Sequence, residues 1–202
     1  MVSARRGRPT RSRDDIATMR QRVADVAARL FREEGYASVS MRRMAREVGC
    51  TPMTLYAYFD SKTDILSHLW ERVYDSLFGE LASLAGPISD PLDRLAAVAR
   101  RYVGYWVDNP ETYRMVFMTE GVSQPEVSAF LDASATVDRF QLFFDTMRDV
   151  LGAPGEAELK MRTEILLSGL LGIAHNHVTI SGYPWSPAEA MAGDLVSALA
   201  RL

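Results

Sequence analysis

Apolar residues recur every three to four positions along most of this 202-residue chain, the spacing that places them on one face of an α-helix. No stretch alternates between apolar and polar residues with a period of two, so strands are not expected. The pattern therefore predicts an all-α fold. Besides two short helices within 40–60, it predicts helices at about 15–34, 62–85, 91–108, 110–119, 126–151, 156–180 and 187–200.

Residues 40–62 predict two short helices joined by a tight turn, followed by the start of a third. The apolar face of the first short helix is Met41, Met44, Ala45 and Val48. Gly49 follows it, at the position where a chain leaving a helix often needs a left-handed residue. Thr51 fits the N-cap of the next helix and Pro52 its first turn, where the fixed φ of proline is favourable. This pattern is a helix-turn-helix.

Side chains that can cap a helix N-terminus precede most of the other predicted helices. They are Asp14 or Asp15, Ser61 with Asp64, Asp90, Asn109, and Ser186 with Glu189. The helix at 62–85 is too long to serve a small three-helix domain alone, so we expect it to connect two domains. The predicted organisation is a basic flexible arm at 1–13, a DNA-binding domain at 14–62 and a larger helical domain at 63–202.

Charge is distributed unevenly along the chain, although the net charge is only −3. Residues 1–62 hold 13 Lys and Arg against 7 Asp and Glu, a balance of +6, whereas the remainder carries −9. A basic end on an acidic body indicates a polyanionic partner at one end only. Within the arm, Arg-Gly-Arg-Pro around Arg8 resembles the core of an AT-hook, which enters a narrow minor groove. The alternative is a basic tail that raises non-specific affinity.

Several functional classes find no support in the sequence. The single cysteine, Cys50, cannot form an internal disulfide, which suits a reducing cytoplasm. No apolar run approaches the ~18 residues needed to span a bilayer. The chain has no glycine-rich phosphate loop, no nucleophile motif, and no pair of histidines spaced to hold a metal on a helix. We therefore expect a cytoplasmic protein that is not an enzyme and uses no cofactor or metal.

The segment from Tyr36 to Leu66 resembles the N-terminal domain of the TetR family of transcriptional regulators. Its Leu-Tyr-x-Tyr-Phe-x-Ser-Lys sequence at 55–62 is specific to that family, and the similarity extends over about 16–69. Cys50 and Met41 depart from the residues that the family more often has there. The rest of the chain resembles the variable ligand-binding half of the family, with a weaker match at 109–117.

The resemblance assigns the DNA-contacting residues. Arg42, Met53 and Thr54 match base-facing positions, where arginine can grip a guanine and methyl groups can meet a thymine methyl. Tyr56, Tyr58 and Lys62 match positions that contact the DNA backbone. Arg43 is expected to touch phosphate or solvent. The full predicted DNA-binding set is Arg8, Arg42, Arg43, Thr51, Met53, Thr54, Tyr56, Tyr58 and Lys62.

The resemblance also implies a ligand cavity in the second domain. Aromatic and methionine residues crowd into 102–118, and such side chains repack easily around apolar ligands. The candidate ligand-binding residues are Tyr102, Trp106, Arg114, Met118, Phe140 and His175. The alternative is that each of them is plain helical core. The acidic composition of this half gives weak support to a cationic ligand.

One recognition helix reads few base pairs, so useful specificity requires two copies about one DNA turn apart. We expect a homodimer formed by the last two helices through Ile165, Leu166, Leu170, Leu171, Ile173, Leu195, Val196 and Leu199, with close contacts at Ser168, Gly169 and Gly172. The predicted function is a ligand-responsive, sequence-specific regulator that binds a double-stranded DNA operator. The resemblance implies a repressor, because repressors predominate in the family. The alternatives are a helical DNA-binding protein controlled by a protein partner, and a non-specific architectural DNA binder.

Overall fold

A computed structural model describes residues 12–123, 125, 130 and 134–201. This part of the chain contains nine helices and no strand, which confirms the all-α prediction. The helices are α1 (Arg13–Glu34), α2 (Met41–Val48), α3 (Pro52–Tyr56), α4 (Lys62–Ala85), α5 (Pro91–Asp108), α6 (Pro110–Phe117), α7 (Ser134–Leu151), α8 (Glu156–Thr179) and α9 (Ala188–Leu199). None of the described helices is long and apolar enough to cross a membrane.

The chain divides into two compact units between Leu69 and Trp70, inside α4. The first unit buries the predicted apolar face of α2 together with Leu55 of α3 and Phe59. These side chains meet one face of α1 and the first turns of α4. The contributing positions of those two helices are Val23, Ala24, Ala27, Leu30, Ile65 and Leu66, all of them buried.

The start of α1 differs from the prediction. Its N-cap is Ser12, whose hydroxyl accepts from the Asp15 N–H at 3.1 Å, and not Asp14 or Asp15. The Asp15 carboxylate accepts in turn from the Ser12 N–H at 3.1 Å, so the two residues form a reciprocal capping box. Asp15 therefore acts three residues into the helix, where its negative charge also complements the helix dipole. Gly35 ends the helix as predicted, with φ of 79°.

The second unit is built around α5, which packs against α7, α8 and α9. Its buried face contains Leu95, Val98, Ala99, Tyr102, Val103 and Trp106. An Asp90 cap and Pro91 start α5 as predicted. The part of α4 from Trp70 onward belongs to this unit. The Trp70 indole N–H donates to the Met115 carbonyl of α6 at 3.1 Å and so connects α4 with α6.

One predicted cap in this unit is wrong, and another forms without its side-chain hydrogen bond. Asn109 is the N-cap residue of α6 and Pro110 its first residue, as predicted, but the Asn109 side chain donates to the Tyr105 carbonyl at 2.8 Å. The N-cap of α9 is Pro187, with no side-chain hydrogen bond, so Ser186 and Glu189 form no capping box. The helix predicted at 110–119 ends at Phe117. Of the helix predicted at 126–151, the positions before Ser134, other than Phe130, lie outside the described residues.

Candidate DNA-binding surface and effector site

The turn between α2 and α3 is fixed by local hydrogen bonds. Ser40 caps α2 by accepting from the Arg43 N–H at 3.1 Å, and Thr51 caps α3 by accepting from the Thr54 N–H at 3.1 Å. Between the two helices, Gly49 adopts the left-handed conformation, with φ of 79° and ψ of 35°. A non-glycine residue would be strained there, so Gly49 determines the angle between α2 and α3.

Three predicted DNA contacts are presented to solvent by this turn. Met53 is 81% exposed and Tyr56 is 50% exposed, both on a helix that is anchored by fully buried Leu55. Arg42 is exposed and forms no hydrogen bond or ion pair with any other described residue. Core packing does not explain a methionine at so exposed a position as Met53, and Arg42 has no carboxylate partner within the described residues. These three side chains are therefore available to a partner.

Arg43 is placed differently from its neighbour. Its guanidinium pairs with Glu34 at 2.8 Å and with Glu47 at 2.6 Å, which links α1 to α2. The hydrogen bond with Glu47 is the main reason that the pKa of Arg43 is raised. Glu47 also pairs with Arg29 of α1. The sequence predicted a DNA contact for Arg43, whereas the structure gives it two carboxylate partners within the domain.

Lys62 and Tyr58 are also engaged inside the first unit. The Lys62 ammonium donates to the Tyr36 carbonyl at 2.7 Å and lies 4.1 Å from the centre of the Tyr36 ring. The Tyr58 carbonyl accepts from the Arg20 guanidinium at 2.6 Å, and its side chain is half-buried. Arg20 escaped the sequence reasoning because its partner lies 38 residues away, beyond any local pattern.

The sequence also singled out Arg8 and Cys50. Arg8 and the rest of the arm through residue 11 lie outside the described residues. Cys50 is half-buried in the turn, and burial raises the pKa of its thiol. A raised pKa opposes thiolate formation, which favours packing over redox chemistry at this position.

The second unit contains a continuous cluster of aromatic rings from α4, α5, α6 and α7. Tyr102 and Trp106 lie at its centre, fully buried, with ring centroids 6.1 Å apart. Phe143 lies 5.3 Å from Tyr102, and Phe117 lies 5.0 Å from Trp106. The rings mostly meet edge to face, the arrangement that aromatic pairs prefer. Phe140 is half-buried in the same cluster, 4.9 Å from the ring of Phe78.

The other three predicted ligand contacts lie at or near the surface. Arg114 pairs with Glu111 at 2.6 Å and donates to the Val178 carbonyl at 3.2 Å, which ties α6 to the end of α8. His175 is exposed, with its Nδ1 atom 3.1 Å from the Tyr113 hydroxyl. Met118 is exposed. The structure thus brings together Tyr102, Trp106 and Phe140 but not Arg114 and Met118.

Some polar groups in the interior of this unit lack partners. The Tyr102 hydroxyl, the Trp106 indole nitrogen, the Thr136 hydroxyl and the Arg139 Nη1 atom are buried, and none of them has a hydrogen-bond partner within the described residues. Sequence reasoning missed Thr136 and Arg139. The available signal was a charged side chain directly beside the buried stripe of α7. The described residues contain no group of His, Cys, Asp and Glu that could hold a metal ion.

Comparison with known proteins identifies the family of the DNA-binding domain. Residues 23–69, which span most of α1 and all of α2 and α3, match the family described as bacterial regulatory proteins of the tetR family. This part of the chain is a TetR-family DNA-binding domain. An HTH-type transcriptional regulator of Staphylococcus aureus is 25% identical over 177 residues, covering 85% of this chain and 91% of that protein. The chain is accordingly a transcriptional regulator with a helix-turn-helix.

Solved structures extend the similarity to the whole TetR fold. The fatty acid degradation regulator FadR of Bacillus halodurans superimposes with a TM-score of 0.73 at 14% identity, covering 95% of this chain and 97% of that one. A transcriptional regulator FadR of Bacillus subtilis, in complex with stearoyl-CoA, gives 0.68 at 13% identity, covering 89% and 96%. At these identities the likeness concerns the fold.

Proposed function

We propose that this TetR-family regulator is a homodimeric repressor that a small organic ligand releases from its operator. The observation that carries the DNA-binding part is the pair of exposed, unpaired side chains Arg42 and Met53 beside a turn of fixed geometry. Rigid presentation of a few side chains is what base readout requires. The protein would act in the cytoplasm, where bacterial DNA is found.

The proposed contacts follow from side-chain chemistry. Arg42 binds a guanine through its two parallel donors, and the methyl groups of Met53 and Thr54 meet thymine methyls. Tyr56 donates to a phosphate. Thr51 stays a candidate through its exposed position at the N-terminus of α3.

Three of the predicted backbone contacts need a change of partner before they can bind DNA. Arg43 would have to leave Glu34 and Glu47, and Lys62 would have to leave the Tyr36 carbonyl. Tyr58 is half-buried and would offer only its outer edge. Arg8 stays a prediction for the minor groove. We rank Arg42, Met53 and Tyr56 above these for mutagenesis.

An apolar stripe along α8 supports the dimer. Met161 is 62% exposed and Ile165 is 47% exposed, and Ser168 and Gly172 continue the same helix face. A groove of about 460 Å³ adjoins the stripe, lined by Ala157, Glu158, Met161, Arg162, Ile165 and Leu199. Small residues in line with exposed apolar ones allow two helices to approach closely.

The stripe is narrower than the sequence predicted. Among the expected interface residues, five fill the core of the chain itself: Leu166, Leu170, Ile173, Val196 and Leu199. Gly169 faces Leu195 of α9 within the same chain, where a Cβ would lie 2.5 Å from a leucine methyl. Sedimentation of the wild type and of Ile165→Glu tests the assignment, with Leu92→Glu on α5 as the control. A dimeric Ile165→Glu protein would refute it.

Ligand control rests on the second unit. Its aromatic interior with unpaired polar groups has the composition of a small-molecule site. The Bacillus subtilis relative in complex with stearoyl-CoA shows that the fold accommodates a ligand in one member. Release would follow if the ligand favours a state in which the two DNA-binding units of a dimer no longer match adjacent grooves. We place the boundary between the basic arm and the DNA-binding domain near residue 13, and the boundary between the DNA-binding domain and the effector domain near residue 62.

Fluorescence anisotropy on DNA from upstream of the protein's own gene, against scrambled DNA of equal length, tests the proposal. We expect specific binding by two protomers, weakened roughly 5- to 150-fold in Arg42→Ala, as loss of one bidentate contact implies. Arg148→Ala in α7 changes the charge equally and should bind normally. If upstream DNA fails, sites selected from random DNA replace it. Equal affinity for every sequence, in both experiments, would indicate an architectural protein and refute specific regulation.

A further inference from the structure

Four buried polar atoms without partners lie on two helices of the second unit. They are the Tyr102 hydroxyl and Trp106 Nε1 on α5, and the Thr136 hydroxyl and Arg139 Nη1 on α7; within the described residues each lacks a hydrogen bond. Native proteins rarely leave such groups unpaired, and each exception needs an explanation. A fifth such atom, Arg94 Nε, is in the first turn of α5, two turns before Tyr102, and its side chain pairs with Asp149 at 2.6 Å.

The residues that carry the four atoms belong to the aromatic cluster or lie one helical turn from one of its rings. Tyr102 and Trp106 are one turn apart on α5. The Trp106 indole lowers the pKa of Tyr102 as a nearby hydrogen-bond donor does, although the two polar atoms do not meet the geometry of a hydrogen bond. Across from them, the ring of Phe143 lies 5.3 Å from Tyr102 and follows Arg139 by one turn on α7. Phe140 follows Thr136 by one turn in the same way.

Electrostatics join the two helices through Tyr74 of α4. Burial raises the pKa of Tyr74, and the Arg139 guanidinium opposes that rise. Burial raises the pKa of Tyr102, and the charge of an ionised Tyr74 raises it further. Arg139 therefore interacts electrostatically with Tyr74, and Tyr74 with Tyr102, across a region of low polarity.

The chemistry of the unpaired set is that of hydrogen-bond donors. Guanidinium and indole nitrogens only donate, and the two hydroxyls can donate as well. The Nε and Nη2 atoms of Arg139 both donate to Asp75 Oδ1, at 2.9 and 2.6 Å, while its Nη1 atom is left buried and unpaired. No Asp or Glu is buried among the described residues, so a cation would find no carboxylate in this interior.

We propose that the effector is an organic anion, a carboxylate on an apolar or aromatic body, and that Arg139 and Trp106 donate to the carboxylate while Tyr102 and Thr136 orient it. A carboxylate accepts several charge-assisted bonds and is the group that these donors match. A surface groove of about 310 Å³ along α7 contains one of these donors, Thr136, and can receive the body; the rest of its lining is Val137, Phe140, Gln141 and Phe144. This assignment rests on the proposed effector control and replaces the cationic ligand that the acidic composition suggested.

Matched acid and amide pairs test the charge. Octanoate is compared with octanamide, and 4-phenylbutanoate with 4-phenylbutanamide, by isothermal calorimetry on the full-length protein. We expect at least one acid to bind, and its amide to bind roughly 10- to 100-fold more weakly. Which acid binds more tightly distinguishes an alkyl body from an aromatic one.

Variants locate the charge at Arg139. Arg139→Gln should weaken the acid by roughly 10- to 100-fold and leave the amide unchanged, and Arg139→Lys should restore part of the affinity. Asp75→Asn is the control, because it removes the same ion pair but keeps the guanidinium. Equal losses in Asp75→Asn and Arg139→Gln would mean that Arg139 is only structural, and would overturn its assignment.

Two tyrosines give a readout that no purely structural role produces. Tyr102→Phe removes a buried hydroxyl that lacks a partner, so it should raise the melting temperature of the free protein while weakening the acid. Tyr113→Phe removes a buried hydroxyl that is 3.1 Å from His175 Nδ1, so it should lower the melting temperature. A lower melting temperature for Tyr102→Phe would show that its hydroxyl is already satisfied.

The outcomes separate this inference from effector control itself. Acids that do not bind at millimolar concentration, or that bind no better than their amides, overturn the anion site. Effector control survives if a neutral or cationic compound then releases the DNA. Acids that bind through Arg139 without changing DNA affinity establish the anion site and contradict effector control.

Discussion

The two units of this regulator differ in where buried polar groups lack partners. In the first unit, within residues 12–69, no buried side-chain donor or acceptor lacks a partner, and the arginines without a partner, Arg42 among them, are on the surface. In the second unit, several surface arginines are paired, as Arg101 is with Glu80, whereas buried side-chain atoms are left without a partner within the described residues. An exposed arginine without a partner is available to a nucleic acid, and buried donors without partners are available to a small molecule.

The largest effect expected in the first unit separates its core from its reading surface. Leu55→Ala should lower the free energy of unfolding by about 2–5 kcal/mol, because a fully buried leucine leaves a cavity. Met53→Ala, two residues earlier, should change it by about 0.5 kcal/mol or less, since that side chain is exposed. Urea denaturation measures both. Met53→Ala should instead weaken operator binding, and a stability loss equal to that of Leu55→Ala would place Met53 in the core.

Arg42 and Arg43 are neighbours in sequence, but only Arg43 has carboxylate partners within the described residues. Because Arg43 pairs with Glu34 and Glu47, Arg43→Ala should lower the urea midpoint and leave the salt dependence of DNA binding unchanged. An arginine that contacts phosphate would reduce the slope of log affinity against log salt by about 0.9.

Glu47→Gln is the matched variant for this claim. It should lower the urea midpoint as Arg43→Ala does, because it breaks the same pair. Glu47 has a pKa lowered mainly by Arg43, so the pair is formed at neutral pH. If Arg43→Ala reduces the salt slope by a full phosphate contact, Arg43 exchanges Glu47 for DNA and the predicted contact is right.

The smallest effect concerns pH at the start of α1. The hydrogen bond from Ser12 lowers the pKa of Asp15 in the folded protein. A lowered folded-state pKa stabilises the fold above the ordinary carboxyl pKa, and the contribution disappears as pH falls below about 4. Between pH 5 and pH 3, the wild type should lose protection from amide hydrogen exchange in the first turn of α1, and Asp15→Asn should lose less than the wild type. Equal pH dependence in Asp14→Asn would contradict the assignment to Asp15.

Local chemistry explains which parts of this fold are predictable. Gly49, Thr51 and Pro52 act within a few residues of their own position, so their sequence order determines the turn. The bounds of α4 and α5 agree with the prediction for the same reason. The Ser186 and Glu189 pattern misled because a capping box also needs the backbone of Ser186 at the N-cap, and Pro187 takes that place.

Contacts between distant residues account for the rest. Lys62 reaches Tyr36 across 26 positions, and Arg139 reaches Asp75 across 64, so no periodicity reports either contact. Composition pointed to Tyr102 and Trp106 as candidate ligand contacts. It did not show that their polar atoms are left unpaired, which depends on how α5 packs against α7.

Effector control is tested most directly by one anisotropy titration of operator-bound protein with the acid that calorimetry selects. We predict that the acid releases wild-type protein from the DNA, that its amide does not, and that Arg139→Gln stays bound at concentrations that release the wild type. An acid that binds wild type by calorimetry yet leaves the DNA complex intact would contradict the claim that the interior of the second unit controls the surface of the first.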